Sequence, residues 1–445
     1  MRLALTAALA LGIGGCASYA PLPLSDSPEV LAVPVASVLQ ARAATLDRPW
    51  LQPVSVDFAA PLSPQAIAAL AVVRNPDLLA LRARAGVADA QAFAAGLLPD
   101  PTFNIGVDKV LSGPDTLLNI AGGVGLDVNA LRKRAVTRSQ AIAQARQVRL
   151  DLAWADWLTA GQARIQAVRV SSLTRIVALS QETDAAARSQ LARSTQATTR
   201  GDLPAADAET ARIAAFDAAE RLRSAERDLL VARQELTRLL GLPPDTALAL
   251  ATADPPREPP PADRLLVMAQ DARTDLAALR AGYAAQESAV RKAVLDQFPS
   301  LNLTVTGNRD SAGNFLLGPA IDFTLPLWNR NRGGIAVERA TREALKSEYD
   351  ARLFNTRAEI IAAWHGLALA RRQLTDAEAG LPSLQRQARA STDASRRGDL
   401  SDAAAMTAAQ QLRDRELVIA QASQAIREQT IALELLSGAL QEGWK

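Results

Sequence analysis

The 445-residue chain carries 49 Lys and Arg against 47 Asp and Glu, a formal charge of +2, and only one cysteine and one histidine. So even a balance gives no field for holding nucleic acid, and one His with one Cys supplies no Cys/His cluster for a metal. Alanine dominates and aromatics make up only 4%, which favours long helices packed at close range over a compact aromatic core.

The chain opens on "MRLALTAALALGIGGCASYA". Arg2 precedes an apolar run that ends at Ile13, too short to cross a bilayer and of the length of a signal-peptide core. The run closes on Ile13-Gly14-Gly15-Cys16, which resembles a bacterial lipoprotein signal. That resemblance makes residues 1–15 the signal peptide and Cys16 the acylated N-terminus. Ala17, not an aspartate, follows, which by analogy with lipoprotein sorting favours the outer membrane. An ordinary secretory signal beside an unrelated cysteine is the alternative. No later stretch supplies about 18 consecutive apolar residues, so no transmembrane helix is expected.

A proline-rich segment, 16–61, leads into a helical pattern of about 35 residues over 62–97. A β region follows. In "PTFNIGVDKV", Phe103, Ile105 and Val107 alternate with Asn104, Gly106 and Asp108. In "LLNIAGGVGLDV", Leu118, Ile120, Val124 and Leu126 alternate with Asn119, Ala121, Gly123, Gly125 and Asp127. The Gly/Pro/Asp/Ser loop between them makes a hairpin. A helix of about 70 residues, 130–199, comes next, roughly 105 Å long at the α-helical rise. It breaks at Arg200-Gly201-Asp202-Leu203. A closing helix then carries Ala208, Ala211, Ala215, Ala218, Leu222, Ala225, Leu229, Ala232, Leu236 and Leu239 at an unbroken 3-4 spacing, a heptad seam. Its alanine end lets two helices approach closely, so the break reads as a narrow hairpin turn.

The whole unit then repeats. "RNPDLLALRA" at 74–83 returns as "ARTDLAALRA" at 272–281, "PTFNIGV" at 101–107 as "PSLNLTV" at 299–305, and Arg200-Gly201-Asp202-Leu203 as Arg397-Gly398-Asp399-Leu400, all at offsets of 197 or 198. The first repeat spans 62–252 and the second 263–441, joined by a proline-dense linker at 253–262. The second copy is expected to hold a helix over 262–297, a hairpin, a long helix over 328–396 and a closing helix. That last helix has a seam at Ala405, Ala408, Leu412, Ile419, Ala422, Ile426, Leu433 and Leu436, interrupted by Arg415 and Gln429. The short helices stacked end to end equal the long one, so each repeat reads as two parallel struts. In the second hairpin Leu301, Leu303, Val305, Phe315, Leu317, Ile321 and Phe323 alternate with small or polar residues, Asn302 and Asp322 among them.

Strands with one apolar and one small or polar face suit a barrel in lipid around a wet lumen, with Asn104, Asp108, Asp127, Asn302 and Asp322 as lumen candidates. A soluble sandwich fits the same strands taken alone. Four strands cannot close a barrel and open edges do not survive in hydrocarbon; three copies supply twelve strands, so a homotrimer is expected. The fold class is thus mainly α with a transmembrane β part: duplicated helical hairpins with a twelve-stranded β-barrel in the trimer.

The duplicated helix–hairpin–long helix–turn–helix unit, "NPDLLALRARAGVADAQ…AGLLPDPTFNIGV" in the first copy and "LPLWNRNRGGIAVERA" opening the second long helix resemble the TolC-like outer membrane efflux factors over roughly 62–441. The resemblance implies that the hairpins form a trimeric α-barrel topped by that β-barrel, a passive exit duct of a tripartite efflux pump, lipid-anchored in the outer membrane and reaching into the periplasm. Its partners would be a periplasmic adaptor, an inner-membrane transporter and outer membrane lipid, with no nucleic acid and no cofactor. It assigns the hairpin tips Arg200, Gly201, Asp202, Leu203, Arg397, Gly398, Asp399 and Leu400 to adaptor contact. It also makes Asp207, with Asp402 as the nearest second-copy acid, the entrance charges. The prolines of 17–61 and 242–262 would form a belt around the helical barrel. Asp202 and Asp399 are expected to cap the helices that follow the tips. No catalytic or metal site is expected; His365 reads as a packing or surface residue. A duct for type I protein secretion, or a lipid-anchored periplasmic coiled-coil scaffold, are the alternatives; the scaffold leaves the alternating strands unexplained.

Overall fold

A computed structural model describes residues 19–26, 31–114, 117–251 and 255–444. Cys16 and the signal segment lie outside them. The chain divides into a short unit ending at Pro34 and a main unit beginning at Val35, which holds every element named below.

A short helix α1 (Ala36–Ala44) precedes the first repeat, which runs α2 (Pro64–Arg74), α3 (Pro76–Ala94), β1 (Thr102–Lys109), β2 (Leu118–Asp127), α4 (Val128–Arg200) and α5 (Ala205–Leu239). The second runs α6 (Ala262–Ala272), α7 (Thr274–Leu295), β3 (Leu301–Arg309), β4 (Phe315–Phe323), α8 (Arg332–Arg396) and α9 (Asp402–Ser437). The long helices have 73 and 65 residues. The second starts four residues later than its sequence pattern, because Arg330 and Asn331 adopt positive φ of 47° and 50° and turn the chain just before it.

The 35-residue helices expected over 62–97 and 262–297 are each broken in two. At Asn75 the cause is local. The residue before a proline is disfavoured in the α region, and Asn75 sits at φ −52°, ψ 123° while its side chain caps the backbone N–H of Asp77 and Leu78. The equivalent second-copy position is Arg273 (φ −70°, ψ 119°), followed by Thr274 and no proline. There the break is tertiary. Arg273, 1% exposed, donates two bonds to the Asp275 carboxylate (3.0 and 2.7 Å) and one to the Leu436 carbonyl (3.3 Å). Asn75 Nδ2 donates in the same way to the Leu239 carbonyl at 3.0 Å. Leu239 and Leu436 are themselves repeat partners, so each repeat locks its split strut to the last turn of its own closing helix.

The four strands form one antiparallel sheet in the order β1-β2-β3-β4, with β1 and β4 as free edges. Below it, α4 is the axis of the helical part. It packs on α3 and α5 of its own repeat and on α7 and α9 of the other, while α8 packs on α7 and α9. The helices thus form a layer whose outer members are α3 and α5 on one side and α8 on the other.

The α5 seam is buried at every expected position except Leu222, which is half-buried. In α9 the two interruptions find room in the facing helix. A Cβ on Gly366 would lie 3.5 Å from the Gln429 side chain, and one on Gly380 would lie 3.8 Å from the Arg415 guanidinium. Both pairs are spaced by two heptads, so two long polar side chains are seated over two glycines. Between repeats the contact is closer. Leu435 of α9 wedges against Gly161 of α4, where any Cβ would overlap it. Trp157 Nε1 donates to the Leu435 carbonyl at 3.2 Å.

Candidate functional site: two hairpin tips and a two-faced sheet

Both tips close identically. Gly201 and Gly398 are left-handed, at φ 81° and 82°. The N–H of Asp202 donates to the Ala197 carbonyl and that of Gly201 to Thr198; in the second copy Asp399 donates to Ala394 and Gly398 to Ser395, all at 2.9–3.0 Å. This paired pattern is the Schellman closure, which needs the glycine's freedom at positive φ. Asp202 and Asp399 do not cap the following helices. Pro204 holds the N-cap of α5 without a side-chain bond, and Ser401 holds that of α9, its Oγ accepting from Ala404 N–H at 3.3 Å. The two extra residues past each glycine place the aspartates too early. Asp399 instead pairs with Arg397 at 2.9 Å.

The entrance candidates differ. Asp207 stands in the first turn of α5, exposed and without an ion pair. Asp402 is engaged: Ser395 Oγ hydrogen-bonds one oxygen and Arg193 of α4 lies 3.7 Å from the other. Arg193 also reaches Met406 Sδ at 2.8 Å, so it ties the first hairpin to the second near the tips. The sequence pattern gave no reason to single out Arg193, one of many arginines spaced along α4.

Residues directly opposite in a sheet share a face. Register therefore joins Phe103 to Val124, Val305 and Pro319, and Leu126 to Leu303 and Ile321, on one side; Phe103, Val124, Val305 and Ile321 are each more than 45% exposed. The other side carries Asn104 beside Gly123, Thr306 and Gly318, and Asp127 beside Asn302 and Asp322, with Asp108 opposite Asn119. All five lumen candidates thus share the polar face. Asp127 has a second duty: it caps α4, accepting from Ala130 N–H at 2.8 Å. The glycines between leave room for them, since a Cβ on Gly123 would sit 2.5 Å from Asn104 Oδ1 and one on Gly125 2.6 Å from Thr102 Oγ1, so each side chain would have to swing away. Polar side chains fold across glycines and keep the face smooth.

Charged pairs brace the middle of the helical layer. Buried Asp156 of α4 accepts from Arg48 (3.0 Å) and Arg82 (2.8 Å), and buried Glu434 of α9 takes both Arg164 nitrogens (2.6 and 3.1 Å). Arg352 of α8 joins Arg273 on Asp275 at 2.9 Å, and the Arg273 guanidinium lies 4.5 Å over Trp154. Burial pushes the Asp275 carboxyl up, but the hydrogen bonds and charges of Arg273 and Arg352 outweigh it and hold it below the usual carboxylate range. Burial, then the Asp275 charge, push Asp151 above it. His365 is exposed and meets Trp364 edge-on. Among the described residues no group of His, Cys, Asp and Glu could hold a metal, and no helix is long and apolar enough to cross a membrane.

Residues 265–439 match the model of the outer membrane efflux protein family. The second repeat is thus similar to an outer membrane efflux protein domain. The first repeat is tied to it by the sequence offset and by the shared joint, tip and strand geometry. Solved membrane proteins have the same fold. A membrane protein from Pseudomonas aeruginosa matches with a TM-score of 0.70 at 16% identity, over 89% of this chain and 99% of that one. The Campylobacter jejuni CmeC outer membrane channel matches at 0.70 and 14%, over 94% of each. The Vibrio cholerae outer membrane protein VceC matches at 0.68 and 15%, over 86% and 97%. No curated protein matches the sequence significantly. The fold is therefore the one expected of the TolC-like efflux factors.

Proposed function

We propose that three copies of this chain form the outer membrane exit duct of a tripartite efflux pump, anchored through an acylated Cys16. The observation that carries this reading is the sheet: four strands, an exposed apolar face, a small and polar opposite face, and two unpaired edges. In hydrocarbon those edges must pair, and β4 of one copy with β1 of the next closes a ring. The helices support the same closure. Exposed apolar side chains gather on the outer members of the layer: Ile213, Phe216, Leu230 and Val231 on α5, and Val337, Phe354 and Leu369 on α8. A heterologous contact between these edges generates a closed ring.

In that assembly Asn104, Asp108, Asp127, Asn302 and Asp322 line the barrel. The tips Arg200–Leu203 and Arg397–Leu400 face the periplasmic adaptor, whose inner-membrane transporter supplies cargo. Asp207 faces the entrance as an uncompensated charge, whereas Asp402 is already paired with Arg193. The duct itself performs no chemistry. Native mass spectrometry of the detergent-solubilised protein tests the reading: three chains are expected, and a monomer that still conducts ions contradicts it.

A further inference from the structure

The segment that leaves β4 for α8 is unusual in what it exposes. Leu325 and Leu327 prolong the apolar alternation of β4 beyond its end at Phe323 and are 58% and 60% exposed. Trp328 is 91% exposed, the highest value for an aromatic among the described residues. Arg330 and Arg332 follow, exposed and without an ion pair among the described residues. The bend is held fast: Arg330 and Asn331 both lie at positive φ, a conformation that costs a non-glycine residue about 1 kcal/mol or more, and Asn331 Nδ2 is tied to the Ala293 carbonyl at 2.8 Å.

The same end of the sheet repeats this mixture. Leu97 and Leu98 before β1, and Phe298 before β3, are all more than half exposed. Arg134 of α4 bonds the Gly96 and Leu97 carbonyls at 3.1 Å, and the Arg132 guanidinium lies 6.0 Å over the Phe298 ring. From Val128 to Leu150 helix α4 holds Arg132, Lys133, Arg134, Arg138, Arg146 and Arg149 and no acid.

Indole rings settle at the boundary between acyl chains and headgroups. Arginine stems lie along apolar surface while the guanidinium reaches phosphate, where its fork binds two oxygens. A protein partner would not require the apolar stripe to run on unbroken from a lipid-facing strand; a bilayer does. We propose that the helix-side rim of the sheet, centred on Leu325, Leu327, Trp328, Arg330 and Arg332, docks the phosphate headgroups of anionic phospholipids in the leaflet facing the helices. This rests on the barrel reading above. The rim sets how deep the sheet sits, and the basic start of α4 lies just beyond it.

The test uses the full chain reconstituted into phosphatidylcholine vesicles with or without phosphatidylglycerol, with lipids spin-labelled at the headgroup or at the chain end. The Trp328 signal is the difference between wild type and Trp328→Phe; a second variant adds Ile321→Trp to Trp328→Phe to report the strand face. Trp328 should be quenched by the headgroup label, and the indole at position 321 by the chain-end label. Arg330→Gln with Arg332→Gln should lower the phosphatidylglycerol retained after detergent extraction by about fivefold per arginine. Quenching at position 321 without quenching of Trp328 overturns the rim and leaves the barrel standing. Accessibility of Trp328 only after the assembly dissociates assigns it to a second copy and overturns the lipid partner. Unchanged lipid retention in the arginine variant removes the headgroup contact. Quenching at neither position overturns the membrane reading itself.

Discussion

Gly201 and Gly398 adopt almost the same left-handed conformation at tips 197 residues apart, with open space where a Cβ would go. A side chain there meets no neighbour, so the cost of Gly201→Ala or Gly398→Ala is purely conformational, about 1 kcal/mol each. Denaturant midpoints check this; two neutral variants would show that the turn has another way to close. These glycines were legible because only one residue type suits the position. The caps were not, because Pro204 and Ser401 win the N-cap by lying one residue before the first helical turn. Pairing separates the entrance acids as well. Asp207→Lys reverses a free charge, whereas Asp402→Lys breaks a pair with Arg193, so the first should reduce cation selectivity more. Single-channel reversal potentials decide it, and no shift in either variant removes both carboxylates from the entrance. At Asp275 the depressed carboxyl contributes its stability in full above about pH 4 and loses it as pH falls through the lowered value. Asp151, shifted upward, acts in the opposite sense: its ionisation costs stability as pH rises through the raised value. Asp275→Asn leaves Arg273 buried without its counter-charge, a loss of about 3 kcal/mol at neutral pH, and flattens the acid side of the stability profile. An unchanged profile would show that the Asp275 cluster does not hold the joint.

Helix breaks show how differently two copies of one element can be written. Asn75-Pro76 announces the first break by local chemistry, yet the helical pattern read over 62–97 runs through it and masks it. Arg273-Thr274 announces nothing, because the force that bends the chain comes from Asp275 and the Leu436 carbonyl, residues that a local reading cannot bring together. Asn75→Ala should cost about 1–2 kcal/mol by orphaning a buried carbonyl and two helical N–H groups. The heptad seams were legible down to their interruptions, but the glycines that receive Arg415 and Gln429 lie in the other helix. The contact between repeats at Gly161 was likewise hidden. Gly161→Val should destabilise by about 1–3 kcal/mol through overpacking on Leu435. Adding Leu435→Ala should recover part of that loss if the two residues are coupled. Thermal unfolding of the four species measures the coupling, and simple additivity would place the wedge elsewhere.

At the scale of the molecule, strand alternation, helix length and tandem duplication together made the architecture readable, since each follows from periodicity and counting. The order of helices in the layer was not readable. It depends on α4 meeting α7, through Ser139 with Ser288, and α9, through Arg164 with Glu434 and Trp157 with the Leu435 carbonyl. That order matters because it leaves α5 and α8, with their exposed apolar side chains, at opposite edges of the helical layer, while β1 and β4 are the free edges of the sheet. In the proposed assembly, three copies closing edge to edge pair the two free strands and turn the polar sheet face into a lumen. The most direct measurement is ion conductance of the purified protein in planar bilayers, combined with substitution on the polar face. Stable single-channel steps are expected, and Gly123→Phe, which projects a large ring from between Asn104 and Thr306, should reduce or abolish them. Membrane-associated protein that never conducts, or conductance indifferent to that substitution, would contradict the duct.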